Sequence, residues 1–283
     1  LRHVTQPAFS RRIQALEAWA GVDLVDRSSY PTRLTLAGQT LHAQAIDMLQ
    51  SLQTSRSMLR GHASHNQSLV EFALPHTLAL TFFPIWIAGL QQQFGEIKTK
   101  LTALNVHDAV LRLVEGGCDF LIAYHHPSQP LQLDPDRFDM VILGEEVLAP
   151  FAKNDEAGQS RFVLPATARK STPYLAYASG AYLGRVVDFL LNDIKTAVHL
   201  NRVYETDMAE SLKAMALEGH GVAFLPLSSV QKEVREQKLA QVRLPDGPSL
   251  EVAMEIRAYR EKPQSFNPTH KIADLLWQHL LDK

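Results

Sequence analysis

Apolar residues recur with helical spacing at the start of the chain and in short strand-like runs over the rest of it. Phe9, Ile13, Leu16 and Ala20 follow at intervals of four, three and four, which places them on one face of a helix. Thr5 can cap that helix, Pro7 is tolerated in its first turn, and Gly21 supplies a stop. Residues 22–27 and 32–35 flank the polar turn Ser28-Ser29-Tyr30-Pro31 and predict a short ribbon. Leu41, Ala45, Met48, Leu52, Ser55 and Leu59 then repeat at heptad spacing, with one polar break at Ser55. Two readings of that seam stand: a dimerising linker, or one helix packed on its own domain. Residues 60–67 are polar and read as a hinge.

From residue 68 onward strands and helices alternate, which predicts parallel α/β sheets. Strands are expected at 69–74, 97–104, 118–124 and 141–151, with helices at 76–94 and 106–115. A second set follows. Its strands lie at 174–177, 198–204, 222–225, 239–244 and 250–259, and its helices at 182–191, 207–217, 228–235 and 268–281.

Composition then limits what such a chain can be. The 283 residues are 46% hydrophobic and 20% charged, a globular composition long enough for more than one domain. The net charge of −2 argues against nucleic-acid binding until its distribution is considered. Residues 1–60 carry seven arginines (2, 11, 12, 27, 33, 56 and 60) against Glu17, Asp23, Asp26 and Asp47. The remaining residues carry 21 cations and 26 anions, so a basic head sits on an acidic body. The polar arc of the first helix holds Pro7, Ser10, Arg11 and Gln14. Ser and Gln can exchange hydrogen bonds with base edges, and Arg can pair with guanine or phosphate. An ordinary amphipathic surface helix is the alternative for that segment taken alone.

The stretch 4–38 resembles the winged helix-turn-helix of LysR-type transcriptional regulators. The residues that carry this are T-Q-P-A-x-S-R-x-I-x-x-L-E from Thr5 to Glu17, then G-V-x-L-x-x-R from Gly21 to Arg27, then L-T-x-A-G from Leu34 to Gly38. The resemblance implies base contacts by Gln6, Pro7 and Ser10, and base or phosphate contacts by Arg11. It places Thr32 and Arg33 on the wing, and Arg27 and Arg33 near phosphates, where contacts give affinity without sequence choice. Arg12 can pair with Glu17 or touch the DNA backbone. By the same resemblance the chain starts inside the second helix of the motif. About three turns of helix are then expected ahead of residue 1, and the chain as it stands is expected to bind DNA poorly while residues 68–283 still fold.

The likeness extends over the rest of the chain, through L-x-L-x-x-G-x-x-D-F-x-I at 111–122 and L-E-G-x-G-V-A-F-L-P at 217–226. It implies an α/β fold: the remnant of a winged helix-turn-helix at 1–38, a linker helix and hinge at 39–67, and a two-lobed, periplasmic-binding-protein-like effector domain at 68–283. Lobe one is expected at about 68–150 plus 262–283, and lobe two at about 160–258. The implied partners are promoter DNA, a small-molecule effector or oxidant, and further copies of the chain as dimer or tetramer. A twofold pair of recognition helices reads two half-sites where one reads few bases.

Ligands of such sheets sit outside the carboxyl ends of the strands, often at helix N-termini that favour anions. That points to His76, Thr77, His107, Tyr124, His125, Ser179, Tyr182, Asp207 and Met208, with a small carboxylate as the default ligand. Each has a plainer role open to it: Asp207 can simply cap a helix, and the His125-His126 pair can be a solvated loop. Within the family, residues 73–76, 124–125, 174–185 and 207–210 look most like the hypochlorite-responsive branch. That branch implies oxidant sensing through methionine, because a thioether that becomes a sulfoxide turns from apolar to polar. Met208 is the position carried over, although a methionine at helical spacing more often fills a core.

Other chemistry is weakly represented. The single cysteine, Cys118, excludes an intrachain disulfide and is expected to be buried and inert. Twelve histidines show no metal-ligand spacing, and no cofactor is expected. No phosphate loop, dinucleotide fingerprint or nucleophile elbow appears, so an enzyme is not expected. The apolar run 77–90 is too short to span a bilayer and no signal-peptide pattern is recognised, so a cytosolic location is expected. A solute-binding protein of periplasmic type without DNA-binding activity is the alternative function, and the motif at 4–38 speaks against it.

Overall fold

The computed structural model describes residues 6–26, 33–42, 44–45, 48, 69–155, 158–164, 171–194, 198–244, 247–263 and 271–282. Its contacts divide the chain into two units, residues 1–63 and 64–283.

The first unit holds helix α1 (Gln6–Ala20), the two-residue strands β1 (Val25–Asp26) and β2 (Arg33–Leu34), and a helix α2 described over 36–42, 44–45 and 48. Gly21 closes α1 at φ +71, a conformation that favours glycine, and its N–H donates to Glu17 O at 2.9 Å. The strands pair antiparallel, Val25 opposite Leu34 and Asp26 opposite Arg33, which makes the expected ribbon. Glu17 ties the helix to the ribbon. Its buried carboxylate accepts from Leu24 N and Val25 N, each at 3.1 Å. Thr35 caps α2 by accepting from Gly38 N at 3.0 Å, and its hydroxyl donates to Asp23 O. Gly38 is required there: a Cβ would stand 2.0 Å from Leu24 O. Among the expected features, Thr5, Arg27, Thr32 and the seam positions Leu52, Ser55 and Leu59 lie outside the described residues.

The second unit is one sheet covered by helices. Its first half runs β3 (Leu69–Pro75), α3 (His76–Thr81), α4 (Phe83–Phe94), β4 (Lys98–Leu104), α5 (Val106–Val114) and β5 (Phe120–His125). The long strand β6 (Phe138–Lys153) leads into a second half. That half comprises β7 (Thr172–Tyr177), α6 (Tyr182–Asp193), β8 (Leu200–Thr206), α7 (Ala209–Leu217), β9 (Val222–Pro226), α8 (Leu227–Arg235) and β10 (Leu239–Gln241). Strand β11 (Val252–Glu261) and helix α9 (Lys271–Leu281) close the described chain.

The strand order is β4-β3-β5-β11-β6-β9-β7-β8, with β10 on β6. The triads β4-β3-β5 and β8-β7-β9 are each parallel and have the same connectivity. Between them run β6 and β11, antiparallel to each other, so two strands cross from one half to the other. Strand β6 pairs β11 over residues 138–148 and β9 over residues 148–151. Strand β11 pairs β5 through Glu255 opposite His125 and on to Tyr259 opposite Leu121. Runs such as β5 and β9 are buried on both faces, as parallel strands between helix layers must be. Phe72, Phe120, Trp277, Phe151 and Phe224 belong to one core cluster that extends through both halves.

Three expectations are corrected. The apolar stretch 76–94 is two helices, broken at Phe82, because Pro84 has no N–H to continue the ladder and sits instead in the first turn of α4. The third strand begins at Phe120; Cys118 precedes it, half-buried. The strand expected at 239–244 ends at Gln241.

Candidate functional site

The parallel strands of both halves end at one cleft. Its outer chamber, about 670 Å³, is walled on one side by Asn105, by His107 and Val110 of α5 and by Pro130–Gln132 of the β5–β6 connection. The opposite wall is residues 178–182, Arg185, Thr206 and Asp207. A smaller inner chamber, about 60 Å³, is lined by Pro75, His76, Thr77, Tyr124, Leu183, Met208 and Ala209. The two adjoin, sharing Asn105, Val106, Ala181, Tyr182 and Asp207.

Helix starts dominate these walls. Asn105 caps α5 with its own side chain, accepting from Asp108 N at 2.9 Å. The N-cap positions of α6 and α7 are Ala181 and Met208, and neither supplies a side-chain cap. Their first N–H groups and the positive ends of their dipoles therefore remain available to an acceptor.

The two walls are tied together by a few polar contacts. Tyr182 Oη accepts from His126 N at 2.8 Å, and Arg185 Nε donates to Gln129 Oε1 at 3.1 Å. The Arg185 guanidinium also donates to Gly180 O and lies over the Tyr182 ring. The His126 ring faces Phe189 at 5.5 Å.

Burial shapes the chemistry of the tyrosines. It raises the Tyr182 hydroxyl to about 12. Burial, and secondarily Glu146, holds Tyr124 well above the usual phenol range, so it remains a proton donor. Tyr124 Oη and Tyr177 Oη are both buried with no hydrogen-bond partner among the described residues. Burial lowers the pKa of His125, helped by Arg257, and also lowers that of His126. Burial pushes the Cys118 thiol up to about 12, which leaves almost no thiolate at neutral pH.

Most of the residues picked out from the sequence come together here. His107, Ser179, Tyr182 and Asp207 line the outer chamber; His76, Thr77, Tyr124, Tyr182, Asp207 and Met208 line the inner one. His125 lines neither; it pairs with Glu255 on β11, and its Nδ1 is buried without a partner. Met208 is 38% exposed, in contrast to Met254 at 2%. Arg185 and Pro130–Gln132 join the lining of the outer chamber beyond the residues expected from the sequence. Residues that directly follow a strand are legible as cleft positions, whereas Arg185 lies one turn into α6, three residues beyond Tyr182. Among the described residues no group of three or more His, Cys, Asp or Glu is arranged to hold a metal.

In the first unit, Arg11 and Gln14 on α1 and Arg33 on the ribbon are exposed, and Ser10 is half-buried. Gln6 and Pro7 open α1. None of the described helices is long and apolar enough to cross a membrane.

Residues 1–39 match the bacterial regulatory helix-turn-helix of the lysR family, and residues 63–279 match the LysR substrate binding domain. The chain belongs to the LysR family of transcriptional regulators. It is 33% identical over 279 residues to the HTH-type transcriptional regulator YjiE of Escherichia coli K12, covering 99% of this chain and 86% of that protein. Full-length HypT of Salmonella typhimurium, a hypochlorite-specific LysR-type regulator, has a similar structure. The TM-score is 0.62 at 30% identity, over 99% of this chain and 89% of that one. DarR of Vibrio fischeri in complex with DNA gives a TM-score of 0.62 at 29% identity, over 100% of this chain and 91% of that one. These relatives are regulators, not enzymes, and the expectation of a DNA-binding regulator with an effector domain holds for this LysR-family chain.

Proposed function

We propose that this LysR-family regulator senses an oxidant of the hypochlorous acid class at its inner chamber, through Met208, and takes a small anionic effector in the outer one. The observation that carries the oxidant reading is the setting of Met208. It stands at the uncapped start of α7, in a chamber with room for a few heavy atoms, and remains accessible. Oxygen transfer to its thioether makes a polar group where an apolar one lined the wall. The similarity to hypochlorite-specific HypT supports the choice of oxidant. Arg185 and the open start of α6 support an anion in the outer chamber, where a carboxylate meets N–H donors and a cation together. His76, Thr77 and Tyr124 form the inner site in this reading, and His107, Ser179, Tyr182 and Asp207 the outer one.

In this reading Gln6, Pro7 and Ser10 contact base edges, Arg11 a base or phosphate, and Arg27 and Arg33 phosphates, with Thr32 and Arg33 belonging to the wing. The working form is an oligomer on promoter DNA.

A thermal-shift screen of the full chain against small carboxylates and hypochlorous acid, followed by mass analysis of Met208, tests the sensing half. The expected result is oxygen incorporation at Met208 at near-stoichiometric oxidant, ahead of Met215 and Met254. Oxidation spread evenly over all six methionines would falsify it. Gel shifts with promoter fragments test the DNA face: alanine at Ser10 and Arg11 is expected to weaken specific binding at least tenfold, at about 1–3 kcal/mol per base contact.

A further inference from the structure

Tyr124 carries the most conspicuous unpartnered hydroxyl of the inner chamber. It is the penultimate residue of the buried strand β5, is 1% exposed, and lines the inner chamber with Met208. Its hydroxyl is buried with no acceptor among the described residues. Buried hydroxyls are nearly always paired, so an unpaired one asks for an acceptor that arrives later. A thioether is a weak acceptor, whereas a sulfoxide oxygen is a strong one.

We infer that the Tyr124 hydroxyl is the receiving group for oxidised Met208, donating a hydrogen bond to the sulfoxide oxygen and drawing the start of α7 toward the carboxyl end of β5. This rests on Met208 being the oxidant sensor. In the oxidation, the Met208 sulfur gives up two electrons and forms a bond to the oxygen of hypochlorous acid. The O–Cl bond breaks, and chloride and a proton leave. No proton comes from Tyr124, which stays a neutral donor before and after. The new bond joins an element of the first half, β5, to one of the second, α7. Thus one oxygen atom becomes a change in how the halves are held. Tyr124 is a positioning residue here: it acts on the oxidised sensor and does not transfer oxygen.

The test is a thermodynamic cycle on the full chain: wild type and Tyr124→Phe, each untreated and treated with hypochlorous acid, with the unfolding midpoint read for all four. Mass analysis confirms equal oxidation of Met208 in both proteins. Phenylalanine keeps the ring and removes only the donor, so the variant is expected to fold. Tyr177→Phe, which removes the other unpartnered buried hydroxyl, is the control, because Tyr177 does not line the chamber. The expected result is an oxidation-induced midpoint change about 2–4 °C less favourable in Tyr124→Phe than in wild type, with Tyr177→Phe behaving as wild type. An equal response in wild type and Tyr124→Phe, with Met208 fully oxidised in both, overturns the Tyr124 role and leaves the sensor reading standing. A Met208 that stays unoxidised in wild type while other methionines react overturns both.

Discussion

The two halves of the effector unit share a strand order but meet the cleft differently. β4-β3-β5 and β8-β7-β9 are the same parallel arrangement, and each sends helices to the same opening. On the first side, α5 is closed by Asn105, whose side chain occupies a donor that a ligand could use. On the second, α6 and α7 have Ala181 and Met208 at their N-cap positions and leave those donors open. Helix α3, on the first side, is also uncapped, but it is only six residues long. One half therefore supplies mostly shape and the other mostly donors. Two similar folds face each other as a wall and a receptor.

The largest perturbation tests whether the halves are energetically one body. Trp277 is fully buried beneath Arg260 and stacks on Phe120 in the first half. Trp277→Ala should remove about 3–5 kcal/mol of stability. Because one core cluster runs through both halves, urea unfolding of residues 64–283 should remain a single transition with a lowered midpoint. A second, unshifted transition assigned to the second half would show that the halves unfold separately.

The next effect tests the tie across the cleft. Tyr182→Phe deletes the acceptor of His126 N, leaving a half-buried donor unpaired at about 1–3 kcal/mol. Arg185 keeps its bond to Gln129, so the β5–β6 connection stays anchored at one point. Faster amide exchange at 126–132 with little change elsewhere is the expected signature. Uniformly faster exchange over the whole sheet would mean that the bond supports the core more than the cleft.

A pair of small changes addresses the capping difference directly. Asn105→Ala should lower stability by about 1 kcal/mol, and Ala181→Ser should raise it by a similar or smaller amount. Ala181 already has extended backbone angles, φ −61 and ψ 136, that suit a capping serine. If the second half is the receptor, the serine also occupies donors that an anion would need. Carboxylate-induced thermal shifts should then shrink in Ala181→Ser and persist in Asn105→Ala. The reverse pattern breaks the comparison.

Much of this arrangement was legible in the sequence, and the reasons are local. The α1 face is set by the spacing of Phe9, Ile13, Leu16 and Ala20. The residues at strand ends could be named because ligand position in a parallel sheet follows from strand direction alone. The rest is decided by contacts far apart in sequence. The strand near 250–259 was visible, but not that β11 lies against β5. The walls at Pro130–Gln132 depend on a connection held by His126 N to Tyr182 Oη, which no local pattern encodes. The break at Phe82 did leave a signal, Pro84, hidden inside an apolar run that read as continuous.

The smallest expected effect is on pH, and it concerns the histidines where β5 leaves the first half. Burial lowers the pKa values of His125 and His126 below their usual 6.5, so the folded state holds these rings neutral. The unfolded chain takes up protons as pH falls through about 6.5, before the folded chain does, and linkage then favours unfolding. Stability from this source is complete above pH 6.5 and is lost as pH falls toward the lowered folded values. The neighbours of His125 act in both directions: Arg257 lowers its pKa further and Glu255 raises it. The unfolding midpoint of the full chain should therefore drop between pH 7.5 and pH 5, and His125→Gln with His126→Gln should flatten that slope. A slope unchanged by the double substitution would place the acid sensitivity outside the β5 end.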